Sequence, residues 1–254
     1  MKDKIITIVA AVGAVALAGW GGYVFCTQIN IGDTPQLYAL IPVYIILVVL
    51  GGFFVEIVHE GAHFLTGAML GMGVKAPKIR LFKSSSVEVN PKGAKALRVR
   101  FVLTAAAGLF FDLLLIILGI IAFAVPSVTP VLGIALPYAF YQFVVNAVPA
   151  DYSCGKNDGT LVIEGFSRKP ESQVLFRVLK IQGLISAGTP MVELDEGLLL
   201  DVPQIAEDEL YYIILTQLRY EYYLAKGNDN EAYKYFLRYK DLIQYLPSEY
   251  KQSK

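Results

Sequence analysis

The sequence predicts a mostly α, polytopic helical membrane protein of about four spans. A short β-hairpin-like loop and a small helical C-terminal domain are expected with it. Three observations lead there. The chain has 254 residues, of which 55% are apolar and 17% charged, too apolar and too charge-poor for an ordinary soluble domain. The apolar residues are gathered into runs long enough to cross a bilayer. After Pro149 the composition changes: residues 151–254 carry 12 basic and 16 acidic residues and no further long apolar run.

The first run, Ile5–Cys26, holds no charge. At about 1.5 Å per residue it reaches roughly 33 Å, enough for the hydrocarbon core. A cleavable leader has an apolar core of about 7–15 residues, so this longer run reads as a retained anchor. The second run, Leu37–Val55, continues in apolar character to about Leu70, with Pro42 and Gly51-Gly52 as places for a bend. Phe101–Val125 is the third, interrupted only by Asp112, and Val131–Val148 the fourth.

Basic residues set the orientation. Between Met72 and Arg100 lie Lys75, Lys78, Arg80, Lys83, Lys92, Lys95, Arg98 and Arg100 against one acid, Glu88. The other connections are nearly uncharged. The positive-inside rule then places this loop in the cytoplasm, and four crossings put both termini there. Within it, KIRLFKSSSVEVN alternates partly like a strand pair and ends at the turn signal Asn90-Pro91. Two readings stand: a basic loop resting on anionic lipid, or a hairpin that pairs with an extended chain.

The C-terminal part reads as two helices, about Glu207–Lys226 and Asn230–Tyr245, joined at Gly227-Asn228-Asp229 and stopped by Pro247. Gly227 suits the helix end, and Asn228 tolerates a left-handed backbone. Both helices are rich in tyrosine. They are similar to one tetratricopeptide-like hairpin, but one repeat lacks neighbours to bury its faces. A small domain packed on itself is the plainer reading. The chain thus divides into an N-terminal anchor and outer loop (1–36), a membrane core (37–166) and a cytoplasmic helical domain (167–254).

Zero formal net charge gives no global basic field, so no nucleic-acid partner is expected; a bilayer is. Cys26 and Cys154 are too far apart in sequence to form a ligand pair or a disulfide framework.

The second span carries the chemistry. FFVEIVHEGAHFLTG places Glu56, His59, Glu60 and His63 within eight residues, and the two histidines are the only ones in the chain. Ionisable groups are costly in hydrocarbon, so their presence needs a reason. Residues four apart share a helix face, so His59 and His63 can hold one Zn²⁺, with Glu60 beside them as a general base for water. A catalytic zinc usually takes three protein ligands. Glu56, Asp112, Asp151, Cys154 and Asp158 are all open candidates for the third. Asp112 shares a helix face with Ala105 and Gly108, at spacings that let helices approach closely. It either hydrogen-bonds a ligand histidine or steadies packing, and the same two roles are open to Glu56.

HEGAH in a membrane helix resembles the site-2 protease family of intramembrane zinc metalloproteases. That family's second signature, Asn-x-x-Pro followed by Asp-Gly, is matched by NAVPADYSCGKNDG, with Asn146, Pro149 and Asp158-Gly159. A Gly-x-x-x-Asn element is matched by GLFFD, with Gly108 present and Asp112 in place of Asn. The resemblance covers roughly residues 40–165; the insert between Pro149 and Asp158 is longer than in many members, and no PDZ-like domain is visible. It implies Asp158 as third ligand, Asn146 at the substrate or oxyanion, and membrane-protein substrates cleaved in or near a transmembrane segment. The expected location is a bacterial cell membrane. The other class to weigh is a zinc-binding membrane protein that binds and regulates substrates without cutting them. A transporter would want inverted repeats, and none is visible.

Overall fold

The computed structural model describes residues 2–28, 34–80, 85–125, 133–152 and 155–246. Its element order is α1 (Lys2–Gln28), α2 (Thr34–Met69), β1 (Gly73–Val74), β2 (Val89–Asn90), α3 (Leu97–Ala124) and α4 (Leu136–Ala147). Then follow β3 (Asp151–Tyr152), β4 (Gly155–Lys156), α5 (Asp158–Phe166), α6 (Pro170–Ser186), α7 (Glu196–Leu200), α8 (Leu210–Ala225) and α9 (Asp229–Leu242). The protein is mostly α, as its long apolar runs lead one to expect.

Among the described residues three helices are long and apolar enough to cross a membrane: Lys2–Thr27, Leu40–Met69 and Leu97–Ala122. The mid-helix ionisable residues of α2 and α3 face inward, and all three helices turn large apolar side chains outward. Glu56, His59, Glu60, His63 and Asp112 are buried, while Ile8, Val15, Ile45, Phe54, Phe110 and Ile120 point outward. Water would favour the reverse arrangement; lipid favours this one. The fourth apolar run differs from expectation. Its helix, α4, has 12 residues, or about 18 Å, short of the roughly 30 Å hydrocarbon core. Pro137 sits in its first turn, where the missing N–H costs nothing. Residues 126–132 lie outside the described ones.

Helix α4 is wedged among the three long helices. Phe140 fills the space over Gly13 of α1, and Leu136 packs on Gly119 of α3. Tyr44 of α2 lies over Gly22, and its hydroxyl donates to the Ala18 carbonyl of α1 at 2.9 Å. Small residues at these crossings let the backbones approach.

The basic loop does contain a hairpin, and it starts earlier than KIRLFKSSSVEVN. Strands β1 and β2 pair antiparallel with Gly73 opposite Asn90 and Val74 opposite Val89, and a bridge joins Lys78 to Ser86. Lys83 lies outside the described residues. Val74 and Val89 sit beneath Gly67 of α2, so the hairpin is tied to the end of the histidine-bearing helix.

The C-terminal segment is more helical than the sequence reading allowed. Helix α6 was not expected, yet its buried positions include Val174, Leu175, Val178, Leu179 and Ile181, an amphipathic spacing. It has two apolar edges. Val174, Val178 and Ile181 join α7 and α8 in one core, with Leu199, Leu215 and Tyr222. Leu175 and Leu179 pack on Met72 and Leu97. Residues on both sides of position 167 therefore share a core. Arg98 strengthens the junction: its guanidinium lies 4.4 Å from the Phe176 ring and donates to the carbonyls of Gly165 and Ser167 at 3.2 and 3.1 Å.

The α8–α9 hairpin matches the two expected helices. Gly227, with φ 70°, takes the left-handed position. Asn228 does not share it. With φ −94° it caps α9, its side chain accepting from Glu231 N. Tyrosines meet across the turn, Tyr223 stacking on Tyr235 with centroids 5.6 Å apart. Pro247 lies outside the described residues.

Candidate metal centre

The i, i+4 spacing on α2 turns His59 and His63 toward α3. His59 Nδ1 lies 2.8 Å from Asp112 Oδ2, and His63 Nδ1 lies 2.7 Å from the Thr104 carbonyl oxygen. A carbonyl only accepts, so His63 Nδ1 carries its proton. The Asp112 carboxylate assigns the same tautomer to His59. Each ring then presents the lone pair of Nε2. The two Nε2 atoms are 3.1 Å apart.

Asp158 closes the group. Its Oδ2 is 3.1 Å from His59 Nε2 and 3.2 Å from His63 Nε2. The expected Asp-Gly loop is in fact the first turn of α5, with Asn157 as its N-cap. An acidic residue suits that position, beside unpaired backbone N–H groups. As a carboxylate Asp158 offers an acceptor oxygen to the centre of the group.

With both rings neutral in that tautomer, three acceptor atoms converge within about 3 Å with no donor between them. Left so, the arrangement is repulsive, and a buried acceptor without a partner costs about 1–3 kcal/mol. A cation resolves it. A tetrahedral ion with bonds of about 2.0–2.1 Å holds its ligands about 3.3 Å apart, close to the three spacings found. The buried group His59, His63 and Asp158 can hold a metal ion.

Two glycines make the approach possible. A Cβ on Gly108 would lie 2.5 Å from His63 Nε2 and 2.6 Å from His59 Cε1, so the α3 backbone itself forms one wall. A Cβ on Gly159 would lie 2.2 Å from the Ala147 carbonyl oxygen, so α5 rests directly on the end of α4.

The remaining expected residues fall as follows. Glu60 is buried beside the group, within electrostatic reach of His59, His63 and Asp158. Asn146 is on the last turn of α4, half-buried, with its backbone against Gly159. Asp112 is fully buried and takes the histidine-holding role; among the described residues its Oδ1 has no hydrogen-bond partner. Glu56 does not share that role. It accepts from the Tyr138 hydroxyl at 2.6 Å and faces Gln142 Nε2 at 3.5 Å, tying α2 to α4 instead. The side chain of Asp151, and Cys154 altogether, lie outside the described residues.

Sequence reasoning missed Thr104, Tyr138, Gln142 and Asn157. Tyr138 and Gln142, four apart in an apolar run, carried a signal as polar partners for Glu56. Thr104 acts through its carbonyl, which no side-chain pattern announces. Comparison with protein-family models, with curated proteins and with solved structures finds no match.

Proposed function

We propose that the protein is an intramembrane zinc endopeptidase similar to the site-2 proteases, cleaving peptide bonds in or near transmembrane segments of other proteins. The observation that carries this is the convergence of His59 Nε2, His63 Nε2 and Asp158 Oδ2 inside an apolar helix bundle, with a buried carboxylate, Glu60, next to them. Two nitrogens and one carboxylate oxygen form a donor set typical of catalytic zinc, which keeps a fourth position open. When bound, zinc polarises a carbonyl and lowers the pKa of water toward about 7.

The chain's own residues do the rest. Asp112 and the Thr104 carbonyl hold both imidazoles in the tautomer that offers Nε2. Glu60 accepts the proton of the attacking water and delivers it to the leaving nitrogen. The Asn146 carboxamide donates to the carbonyl oxygen as charge develops there. The substrate is read in extended form, since a helix hides its carbonyls in its own hydrogen bonds. The excess of basic residues between Met72 and Arg100 supports a cytoplasmic position for that loop, for both termini and for the helical domain, with the run around α4 as the fourth crossing of a bacterial membrane.

The test is cleavage of a single-span reporter by the purified full-length protein in liposomes. Cutting that stops with a zinc chelator and returns with zinc supports the reading. Stoichiometric zinc uptake with no cutting of any single-span reporter makes the protein a non-cleaving zinc-binding membrane protein instead.

A further inference from the structure

Asn157 stands at the junction of α4 and α5, and its carboxamide is used on both sides. Its Nδ2 donates to the carbonyls of Val145 and Val148, each at 2.7 Å. The residue four beyond Val145 is Pro149, which has no N–H to offer that carbonyl, so Asn157 serves a place the helix itself cannot. Its Oδ1 accepts from Thr160 N at 3.1 Å, from the Thr160 hydroxyl at 2.7 Å and from Ala150 N at 3.4 Å. The residue is 8% exposed. Only a carboxamide combines two donors with an acceptor; aspartate lacks the donors, and serine cannot reach both carbonyls.

The next residue is Asp158. Its helix is fixed by Asn157 on one side and, at Gly159, by direct contact with the Ala147 carbonyl on the other. We propose that Asn157 is a positioning residue of the metal centre: it locks the end of α4 to the start of α5, so that Asp158 Oδ2 is held at bonding distance from both histidines before the ion arrives. Asn157 touches none of the three ligand atoms. Its contribution is preorganisation, which lowers the cost of assembling the site. The inference rests on reading His59, His63 and Asp158 as a metal centre.

The experiment measures zinc affinity of the full-length protein in detergent, by competition with a chromophoric chelator. Asn157→Asp keeps the size of the side chain and the acceptor for Thr160 but loses both donors. Asn157→Ser keeps the helix cap alone, and His63→Ala removes a ligand. Both Asn157 variants are expected to bind zinc about 10- to 100-fold more weakly than the natural chain, with an altered visible spectrum when cobalt replaces zinc. A purely structural role would lower the melting temperature of the metal-free protein and leave the affinity of the folded fraction unchanged. Folded Asn157→Asp or Asn157→Ser with affinity within twofold of the natural chain overturns the proposal. Failure of the natural chain to bind zinc, or His63→Ala binding equally well, overturns the metal reading and this inference with it.

Discussion

Asp112 Oδ2 lies 2.8 Å from His59 Nδ1, on the side of the ring away from Nε2. The carboxylate therefore fixes which nitrogen faces His63 and Asp158. It resides on α3, 53 residues along the chain, so the pairing of α2 with α3 and the orientation of the first ligand are one event. Removing the carboxylate should loosen the ring while leaving the three ligands in place. Asp112→Ala is expected to lower metal affinity about 10- to 100-fold. Asp112→Asn, whose amide oxygen still accepts from Nδ1, should lose less. Chelator competition measures both, and equal affinity for the alanine variant and the natural chain would remove Asp112 from the site.

Gly108 and Gly61 form a matched pair of tests. A methyl at Gly108 would press on both imidazoles, whereas a Cβ on Gly61 would meet nothing within 4 Å. Gly108→Ala should lose most of its metal; Gly61→Ala should keep it, with a gain in helix propensity of up to about 1 kcal/mol. Metal analysis of the purified variants decides. Full metal in Gly108→Ala would mean that α3 does not form the wall described.

Glu56 separates stability from metal binding. Tyr138→Phe removes the donor at 2.6 Å and leaves a buried carboxylate oxygen short of a partner, at a cost of about 1–3 kcal/mol. Its thermal midpoint should fall while zinc affinity holds within about threefold, because His59 and His63 are held by Asp112 and Thr104. A large loss of affinity would assign Glu56 to the metal after all.

How much of this was legible in the sequence depended on how local each signal was. His59 and His63 were legible because four residues on a helix make one face. The three long spans were legible from length and polarity. Asp158 was one of five open candidates and was singled out only through the resemblance, since Asp-Gly also marks ordinary turns. The role of Asp112 was one of two open possibilities, because the choice depends on which face of α2 meets α3. Asn157 stayed hidden: its partners are the carbonyls of Val145 and Val148, at the end of a helix that closes ten residues earlier. The run Val131–Val148 promises a full crossing by its uninterrupted apolar character; among its described residues the helix covers Leu136 to Ala147. Helix α6 was overlooked although Pro170 and Glu171 opened it and its buried positions were amphipathic.

Topology has its own test. The proposed orientation puts Lys75–Arg100 and the chain beyond Asp151 in the cytoplasm, and Cys26 at the outer end of α1. A membrane-impermeant thiol reagent applied to intact cells should reach Cys26, which is half-buried and free, and miss Cys154. Permeabilisation should expose Cys154. Labelling of Cys154 alone in intact cells would invert the map and move the metal centre's opening to the outer side.

The most direct test of the central claim uses Glu60. Glutamine keeps the shape of the side chain but accepts no proton at neutral pH, so Glu60→Gln removes the proposed general base with little change of shape. Purified Glu60→Gln protein should carry as much zinc as the natural chain and melt within a few degrees of it. Its cleavage of a single-span reporter should fall by about 10²- to 10⁴-fold. Cleavage at the natural rate by zinc-loaded Glu60→Gln would contradict the account.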